Sequence, residues 1–198
     1  MAIQFSKILN GVLGGLHARQ REVLAGRFGL EAGKEPETLA AIGNRMGVTR
    51  ERIRQIENSA LHGVRQAIAK NPTCGAFLAQ GKNYLQSVGG VARQDTFLEF
   101  ASSKAPGVNE PALGLLLEAS GAFYAHPANK HFHPFYYESY EQKKAANSFI
   151  EGWAKFLESK KKQVLVGSHD ALFNDYIEAK DVKPTWGKTY LTITKKIH

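Results

Sequence analysis

Apolar residues recur at helical spacing along most of the chain, and the clearest repeat runs from residue 49 to residue 69. At 100° per residue, one face of this predicted helix consists of Ile53, Ile56, Ala60 and Val64. A shorter helix is predicted just before it, over 37–46. Gly47 tolerates the positive φ of a tight turn, Val48 is expected to be buried at the hinge, and Thr49 is a good N-cap. The pattern therefore predicts two helices joined by a sharp turn.

Weaker repeats predict further helices on both sides of this pair. They cover about residues 3–12, 19–28, 76–86, 94–102, 112–120, 141–159 and 170–179. Two short aromatic segments, 123–127 and 132–137, flank a polar turn. A loop is predicted over 183–187. Segment 164–166 fits a short strand or an extended lead into the next helix, and 190–197 fits a strand or a helix.

The order helix, helix, then two aromatic segments around a turn is that of a winged helix. Pro72 ends the long helix, because proline disfavours the α conformation in the residue before it. We therefore expect three parts: a helix-turn-helix domain over 1–71, a winged-helix-like module over 72–140 and a second, truncated helical module over 141–198. The predicted fold class is mainly α with minor β-structure.

Composition places the chain among globular proteins of a reducing compartment. Its 198 residues are 43% apolar and 22% charged, which is enough apolar material for packed cores. No apolar run approaches the ~20 residues that cross a bilayer. The lone cysteine, Cys74, excludes an internal disulfide and a cysteine-based zinc site. We expect a cytoplasmic protein with no membrane partner.

The charge of the chain favours a polyanionic partner. The formal net charge is +8, and residues 1–70 carry 11 Lys and Arg against 6 Asp and Glu. Charge density is therefore highest around the predicted helix-turn-helix, which favours nucleic acid over a membrane surface.

The outer face of the predicted helix 49–69 has the chemistry of a major-groove reader. It carries Glu51, Arg54, Gln55, Asn58, His62 and Arg65, with Arg50 and Arg52 at its margins. Arginine pairs with guanine, glutamine with adenine, and glutamate accepts from cytosine. The alternative is a solvated face laced with ion pairs one turn apart, such as Glu51 with Arg54. The turn glycine, the threonine cap and the Arg/Gln face together favour DNA binding.

Residues 16–68 resemble region 4 of the sigma-70 family of bacterial RNA polymerase sigma factors. The matching strings are RQREVL at 19–24, RFGL at 27–30, TLAAIG at 38–43 and VTRERIRQIE at 48–57. In that family this helix-turn-helix reads the −35 promoter element and packs on the flap of the polymerase β subunit. The resemblance implies that Arg50, Glu51, Arg54 and Gln55 touch base edges, and that Thr38 and Leu39 approach the backbone. The complete predicted DNA-binding set is Thr38, Leu39, Arg45, Thr49, Arg50, Glu51, Arg52, Arg54, Gln55, Asn58 and Arg65.

The chain also departs from a sigma factor. Region 4 closes a sigma factor, whereas the matching segment opens this chain, and nothing here resembles the aromatic and basic helix that melts the −10 element. We expect that the protein does not start transcription unaided and that the chain is part of a longer, non-sigma protein. Its C-terminal part has a weak likeness to the winged module of the RNA polymerase δ subunit.

Other residues suggest chemistry but fit simpler roles. His126, His131 and His133 lack an acidic or thiol partner at ligand spacing and are expected in a surface turn rather than at zinc. Cys74 has no adjacent base. The tyrosines Tyr136, Tyr137 and Tyr140 could stack on bases, but we expect them in the core under a wing. Lys160, Lys161 and Lys162 are expected to end a helix in solvent.

We therefore predict a non-enzymatic, sequence-specific regulator of transcription that binds double-stranded DNA and uses no cofactor or metal. RNA polymerase is the second partner that the resemblance implies. One alternative is an interaction protein that binds the polymerase flap or an anti-sigma factor, with DNA incidental. Another is a nucleic-acid enzyme whose catalytic part lies outside this chain. The oligomeric state stays open.

Overall fold

The computed structural model describes residues 4–160 and 169–195. Within those ranges it has ten helices and three short strands. The helices are α1 (Phe5–Leu13), α2 (Ala18–Phe28), α3 (Leu39–Met46), α4 (Arg50–Lys70), α5 (Pro72–Ser87), α6 (Gln94–Lys104), α7 (Glu110–Ser120), α8 (Tyr140–Ser159), α9 (His169–Ala179) and α10 (Pro184–Thr192). The strands are β1 (Val91–Arg93), β2 (Tyr124–His126) and β3 (Phe135–Tyr137). The prediction of a mainly α protein with minor β-structure is confirmed.

The chain divides into two compact units. Unit 1 comprises Met1–Gln80 and Leu98–Ala122, and unit 2 comprises Gly81–Phe97 and Phe123–His198. Neither unit coincides with one of the predicted parts 1–71, 72–140 and 141–198. That three-part division stays a prediction.

Helix α4 is the central helix of unit 1, where it packs against α1, α2, α3 and α7. Its buried side chains are those that the apolar repeat predicted, Ile53, Ile56, Ala60 and Val64. Ile53 and Ile56 form a small core with Val23 of α2 and Ile42 of α3. Because these side chains repeat every three or four residues, each helix buries one stripe and leaves the opposite face to solvent.

The turn between α3 and α4 depends on two glycines. Gly47 has a φ of 67°, in the left-handed region that favours glycine. A Cβ on Gly43 would lie 2.7 Å from the carbonyl oxygen of Val48, so only glycine fits this close approach. The Val48 amide donates to the Gly43 carbonyl over 2.9 Å and closes the turn. Val48 itself is half-buried rather than buried, because only part of its side chain packs against the core.

Unit 2 is built on an antiparallel sheet of strand order β1-β3-β2. Helix α8 packs against β1 and β3, and α10 packs against α8 and β1. The core between them is largely aromatic, and its rings are Phe135, Tyr137, Phe149, Trp153, Phe173, Tyr176 and Tyr190. Aromatic rings bury much area each, so few elements are enough to enclose a core.

The structure corrects the sequence predictions in the C-terminal third. The loop expected over 183–187 is wrong, because Pro184 takes the first position of α10, where a missing amide costs nothing. Strand β1 was not predicted, since three residues are too few to show alternation. The ambiguous segment 190–197 is helical as far as Thr192. Thr194 then forms an isolated bridge with Phe132. Segment 164–166 lies outside the described residues.

Residues 72–137 follow the order α5-β1-α6-α7-β2-β3 along the chain. The two aromatic segments, 123–127 and 132–137, therefore contain β2 and β3, and each strand is shorter than its segment. The winged-helix interpretation of this order stays a prediction. Among the described residues, no helix is both long and apolar enough to cross a bilayer.

Candidate nucleic-acid interface

The first turns of α4 expose a continuous row of polar side chains. The polar face of α4, as we define it, consists of Arg50, Glu51, Arg52, Arg54, Gln55 and Asn58, all of them exposed. Ile53 and Ile56 point the other way, into the core of unit 1. Thr49 caps the helix, since its Oγ1 accepts a hydrogen bond from the Arg52 amide over 3.2 Å. The cap fixes where the helix begins and so which side chains share this face.

Glu51 and Arg54 are joined by two hydrogen bonds on this face. Arg54 Nε donates to Glu51 Oε2 over 2.9 Å, and Nη2 donates to Oε1 over 2.8 Å. The bond to Arg54 lowers the pKa of Glu51, and the same bond raises the pKa of Arg54, so both groups stay ionised at neutral pH. A fork of this kind fixes the plane of the guanidinium. The predicted ion pair of Glu51 with Arg54 is therefore present on this face. The pair holds the Arg54 guanidinium in one orientation while Arg54 stays exposed.

A groove lies on one side of the polar face, between the beginning of α2 and α4. It has a volume of about 270 Å³ and is lined by His17, Arg19, Gln20, Arg52, Gln55, Ile56 and Ser59. Arg52 Nη1 donates to Gln55 Oε1 over 3.1 Å, and Gln20 Nε2 donates to Ser59 Oγ over 3.1 Å. Arg19, which the sequence predictions did not include, thus lies beside Arg52 because α2 begins next to α4.

A second recess of about 330 Å³ lies where α3 begins. It is lined by Arg27, Thr38, Leu39, Ala40 and Arg50. Thr38 caps α3, its Oγ1 accepting from the Ala41 amide over 3.1 Å. Arg27 was also missing from the predicted set, and its Nε donates to Glu57 Oε1 over 2.8 Å. The structure therefore brings Thr38, Leu39 and Arg50 together, as predicted, and adds a cation.

Arg45 forms ion pairs with two carboxylates of unit 1. Its Nη1 donates to Glu22 Oε1 over 2.7 Å, and its Nη2 donates to Glu37 Oε1 over 3.1 Å. The hydrogen bond to Glu37 is the main cause that raises the pKa of Arg45. These bonds tie α3 to α2 and to the segment before α3. The structure does not bring Arg45 into either recess beside the polar face.

Arg65 is also engaged within unit 1. Its Nε donates to the carbonyl oxygen of Ala119, over 2.9 Å, at the end of α7. The last carbonyls of a helix lack intrahelical partners and carry partial negative charge, so a guanidinium is a suitable cap. The sequence placed Arg65 on the polar side of α4 and predicted a helix over 112–120, but it gave no sign that this helix, α7, ends beside Arg65.

The other candidate residues of the sequence have structural surroundings. His126 ends β2 and stacks on Phe135, with ring centroids 4.6 Å apart, so a plain surface turn is the wrong description of it. Among the described residues, no group of three or more His, Cys, Asp or Glu could hold a metal. Cys74 is fully buried, and burial raises the pKa of its thiol to about 11, which removes the thiolate at neutral pH.

The tyrosines divide into two kinds. Tyr136 and Tyr137 are buried, as expected. The expectation that Tyr140 is in the core is wrong, because it is the first residue of α8 and its ring is 70% exposed.

Comparison with protein families gives one match, and it covers only the N-terminal part of the chain. The model of the family sigma-70, region 4, matches residues 12–66. This segment runs from the end of α1 through most of α4 and includes the polar face. The predicted resemblance to sigma-70 region 4 is thereby confirmed for this segment.

Individual relatives agree with that match. The chain is 44% identical over 63 residues to RNA polymerase sigma factor sigB of Arabidopsis thaliana, covering 32% of this chain and 11% of that one. It is 53% identical over 57 residues to RNA polymerase sigma factor SigA1 of Synechococcus elongatus, covering 29% of this chain and 14% of that one. It is 44% identical over 63 residues to RNA polymerase sigma-C factor of a Nostoc species, covering 32% and 15%. The chain thus spans less than a fifth of the length of these relatives.

Proposed function

We propose that the chain is a transcription regulator whose sigma-70 region-4 segment binds a specific double-stranded DNA sequence through the polar face of α4. One observation carries the proposal: the exposed row from Arg50 to Asn58 faces away from a complete apolar core, inside the segment that matches region 4. Helices of this width enter the major groove, and these side chain types match base edges there. Recognition of a −35-type promoter element is the finer form of the proposal.

Base contacts are assigned to Arg50, Glu51, Arg54 and Gln55. Arg54 suits a bidentate contact with guanine, and Glu51 holds its guanidinium in plane before DNA arrives. Gln55 follows on the same face and suits adenine. Asn58 lies one turn further along and is assigned to the margin of the site.

Phosphate contacts are assigned to the two recesses that flank the polar face. Arg52 and Arg19 would meet one strand from the groove beside α2, and Thr38 and Leu39 would meet the other from the recess at α3, where Arg27 is held by Glu57. Thr49 acts mainly as the cap of α4. The bonds of Arg45 and Arg65 within unit 1 favour structural support for these two residues over direct contact with DNA.

RNA polymerase is the second proposed partner. The relatives are named as RNA polymerase sigma factors, and region 4 in that family packs on the β flap. On this proposal the protein acts without an enzymatic step of its own, in the cytoplasm. We further propose that 72–140 forms a winged-helix-like module, which is supported by the element order α5-β1-α6-α7-β2-β3.

The experiment is selection of binding sites from a random duplex pool at two salt concentrations, with wild type and an Arg50→Ala/Arg54→Ala variant. A single recovered motif related to a −35 element, lost in the variant, supports sequence-specific recognition. Affinity should also fall steeply with salt, because phosphate contacts release counterions. Binding without a motif would contradict the proposal.

A second measurement separates the polymerase alternative from DNA recognition. Isolated β flap is used to capture the chain, before and after charge reversal at Arg50 and Arg54. Capture that survives the reversal, together with absent DNA selection, would favour the interaction protein over the DNA reader. Capture lost with DNA binding would indicate that one surface serves both.

A further inference from the structure

Three tyrosine rings and one lysine form a cluster in unit 2. The tyrosine cluster, as we define it, consists of Tyr124, Tyr137, Tyr140 and Lys143. Tyr124 and Tyr137 are directly paired across β2 and β3 and stack with ring centroids 5.3 Å apart at 21°. Tyr140 meets Tyr137 edge-on at 6.3 Å. The short link between β3 and α8 places Tyr140 at the beginning of that helix, where Ser139 caps it.

The rings of this cluster differ in exposure. Tyr137 is only 6% exposed, whereas Tyr124 is 49% and Tyr140 is 70% exposed. Tyr124 and Tyr140 are the exposed large hydrophobic side chains of the described residues. The buried ring between them fixes the positions of both, so two aromatic surfaces face solvent from a rigid base. Fixed aromatic rings of this kind are enriched at binding surfaces, because they contribute area at little cost in entropy.

The cluster also carries a positive charge, on Lys143, that is in no ion pair with a carboxylate of the described residues. Lys143 Nζ lies 5.0 Å from the ring centre of Tyr137 and 5.5 Å from that of Tyr140. The nearby carboxylate of Glu138 is paired with Lys82. The carboxylate of Glu141 has hydrogen bonds with its own backbone amide and with the Ser139 side chain, and these bonds lower its pKa.

We propose that the tyrosine cluster binds an unpaired nucleotide of single-stranded DNA, with the base stacked on Tyr140 or Tyr124 and a phosphate near Lys143. A fixed aromatic surface beside an uncompensated cation suits a ligand that is both planar and anionic. The ammonium of Lys143 repels a cationic ligand such as methylated lysine and adds nothing for a neutral proline-rich peptide. Bases within a duplex are already stacked on each other and offer no free face. The site therefore differs from the polar face of α4 in the form of DNA that it takes.

The test uses the full chain with Arg50→Ala/Arg54→Ala, so that the polar face of α4 does not contribute. Its probe is a labelled oligothymidylate of about 12 nucleotides, compared with the matching duplex. Tyr140→Ala is expected to raise the Kd for the single strand about tenfold, and Tyr140→Phe to leave it nearly unchanged, since the ring is what stacks. Lys143→Ala should weaken binding and reduce its salt dependence by about one phosphate contact.

Lys144→Ala is the matched control, because Lys144 is exposed on the same helix and lies outside the cluster. Tyr140 is mostly exposed, so its removal leaves the core intact, and the fluorescence of Trp153 and Trp186 checks the fold of unit 2. Equal losses for Tyr140→Ala and Lys144→Ala would overturn the proposal, as would a duplex bound as tightly as the single strand. Binding of a proline-rich peptide that depends on Tyr140, with no binding of the single strand, would also overturn it. Failure of the proposed promoter recognition would not, since the test variant lacks that face.

Discussion

The two units are stabilised by different kinds of core. In the helix-turn-helix of unit 1, the buried side chains are aliphatic and compact, namely Val23, Ile42, Ile53 and Ile56. In unit 2, the contacts are between rings, such as Phe149 with Tyr176 at 5.1 Å and Trp153 with Phe173 at 5.6 Å. Compact side chains allow helices to pack closely, and they recur at regular spacing along each helix. Rings from distant elements enclose a core with little local repeat.

Polar interactions differ between the units in the same way. Unit 1 links its helices by charge, as in Arg27 with Glu57 at 2.8 Å. Unit 2 has the ion pair of Lys82 with Glu138, but it also links its elements by neutral side chain to backbone bonds, with Tyr190 Oη donating to the Gly89 carbonyl over 3.0 Å and Trp186 Nε1 to that of Ser87 over 3.1 Å. Salt should therefore lower the stability of unit 1 more than that of unit 2.

The largest effect is expected from Phe149→Ala in unit 2. Phe149 contacts three other rings of the aromatic core, so its loss should cost about 3–5 kcal/mol of unfolding free energy. Both tryptophans, Trp153 and Trp186, lie in unit 2, and their fluorescence during denaturation measures this unit. Phe156→Ala is the half-buried control and should cost less. Equal costs would show that the aromatic core is not the main source of stability.

Ile53→Ala tests the aliphatic core in the same way. Ile53 is fully buried, and its truncation should cost about 2–5 kcal/mol, measured by the far-ultraviolet circular dichroism of the helices. DNA binding should fall with it, while the tryptophan transition of unit 2 stays in place. A parallel shift of the tryptophan transition would show instead that the two units unfold together. Met46→Ala, at the half-buried edge of this core, is the milder control.

Arg54→Ala compares exposed cations of the two units. We expect a loss of about 1–3 kcal/mol in binding to the preferred site, and relaxed sequence preference at that position, measured by titration of labelled duplexes. Lys188→Ala, an exposed cation of unit 2, should leave duplex affinity nearly unchanged. Equal losses for Arg54→Ala on every sequence would reduce Arg54 to a phosphate contact.

The helix caps offer a matched pair. Thr49 Oγ1 accepts from the Arg52 amide over 3.2 Å in unit 1, and Ser139 Oγ accepts from the Gln142 amide over 3.3 Å in unit 2. Alanine at either position should cost about 1 kcal/mol of unfolding free energy. Only Thr49→Ala should also weaken duplex binding, because it frays the beginning of α4. A loss of duplex binding in Ser139→Ala would contradict this division.

The smallest effect is expected from Glu118→Gln in α7. Partial desolvation, and then the nearby charge of Glu57, raise the pKa of Glu118, while Arg27 opposes them. The ionised carboxylate therefore costs stability at neutral pH, and a glutamine should raise the melting temperature of unit 1 at pH 7. The gain, under about 1 kcal/mol, should vanish well below pH 4, where Glu118 is protonated in both states. A melting temperature that falls at pH 7 would contradict the assignment.

Local signals made unit 1 the more predictable part. The helix-turn-helix could be predicted from sequence because its signals lie within a few residues of each other. Gly47 indicates the turn, Thr49 the cap and Ile53 the core. The polar face followed from the same periodicity. The assignment of its residues to DNA remains a proposal.

What sequence could not show depends on distant contacts. Arg45 and Arg65 look like cations without partners in the sequence, but folding brings Glu22 and Glu37 to Arg45 and the end of α7 to Arg65. Tyr140 sits among aromatic residues in the sequence, yet a helix cap directly before it turns its ring into solvent. The register of β2 and β3, which no local pattern fixes, decides that Tyr124 lies over Tyr137.

Helix α4 is uninterrupted over 21 residues, and Arg65 joins it to the end of α7 by a hydrogen bond. The Cα atoms of Arg54 and Arg65 are therefore about 16 Å apart along its axis. On the proposed function, this rigid span joins the contact of Arg65 with α7 to the DNA-contacting end of α4, so that the two ends move as one body.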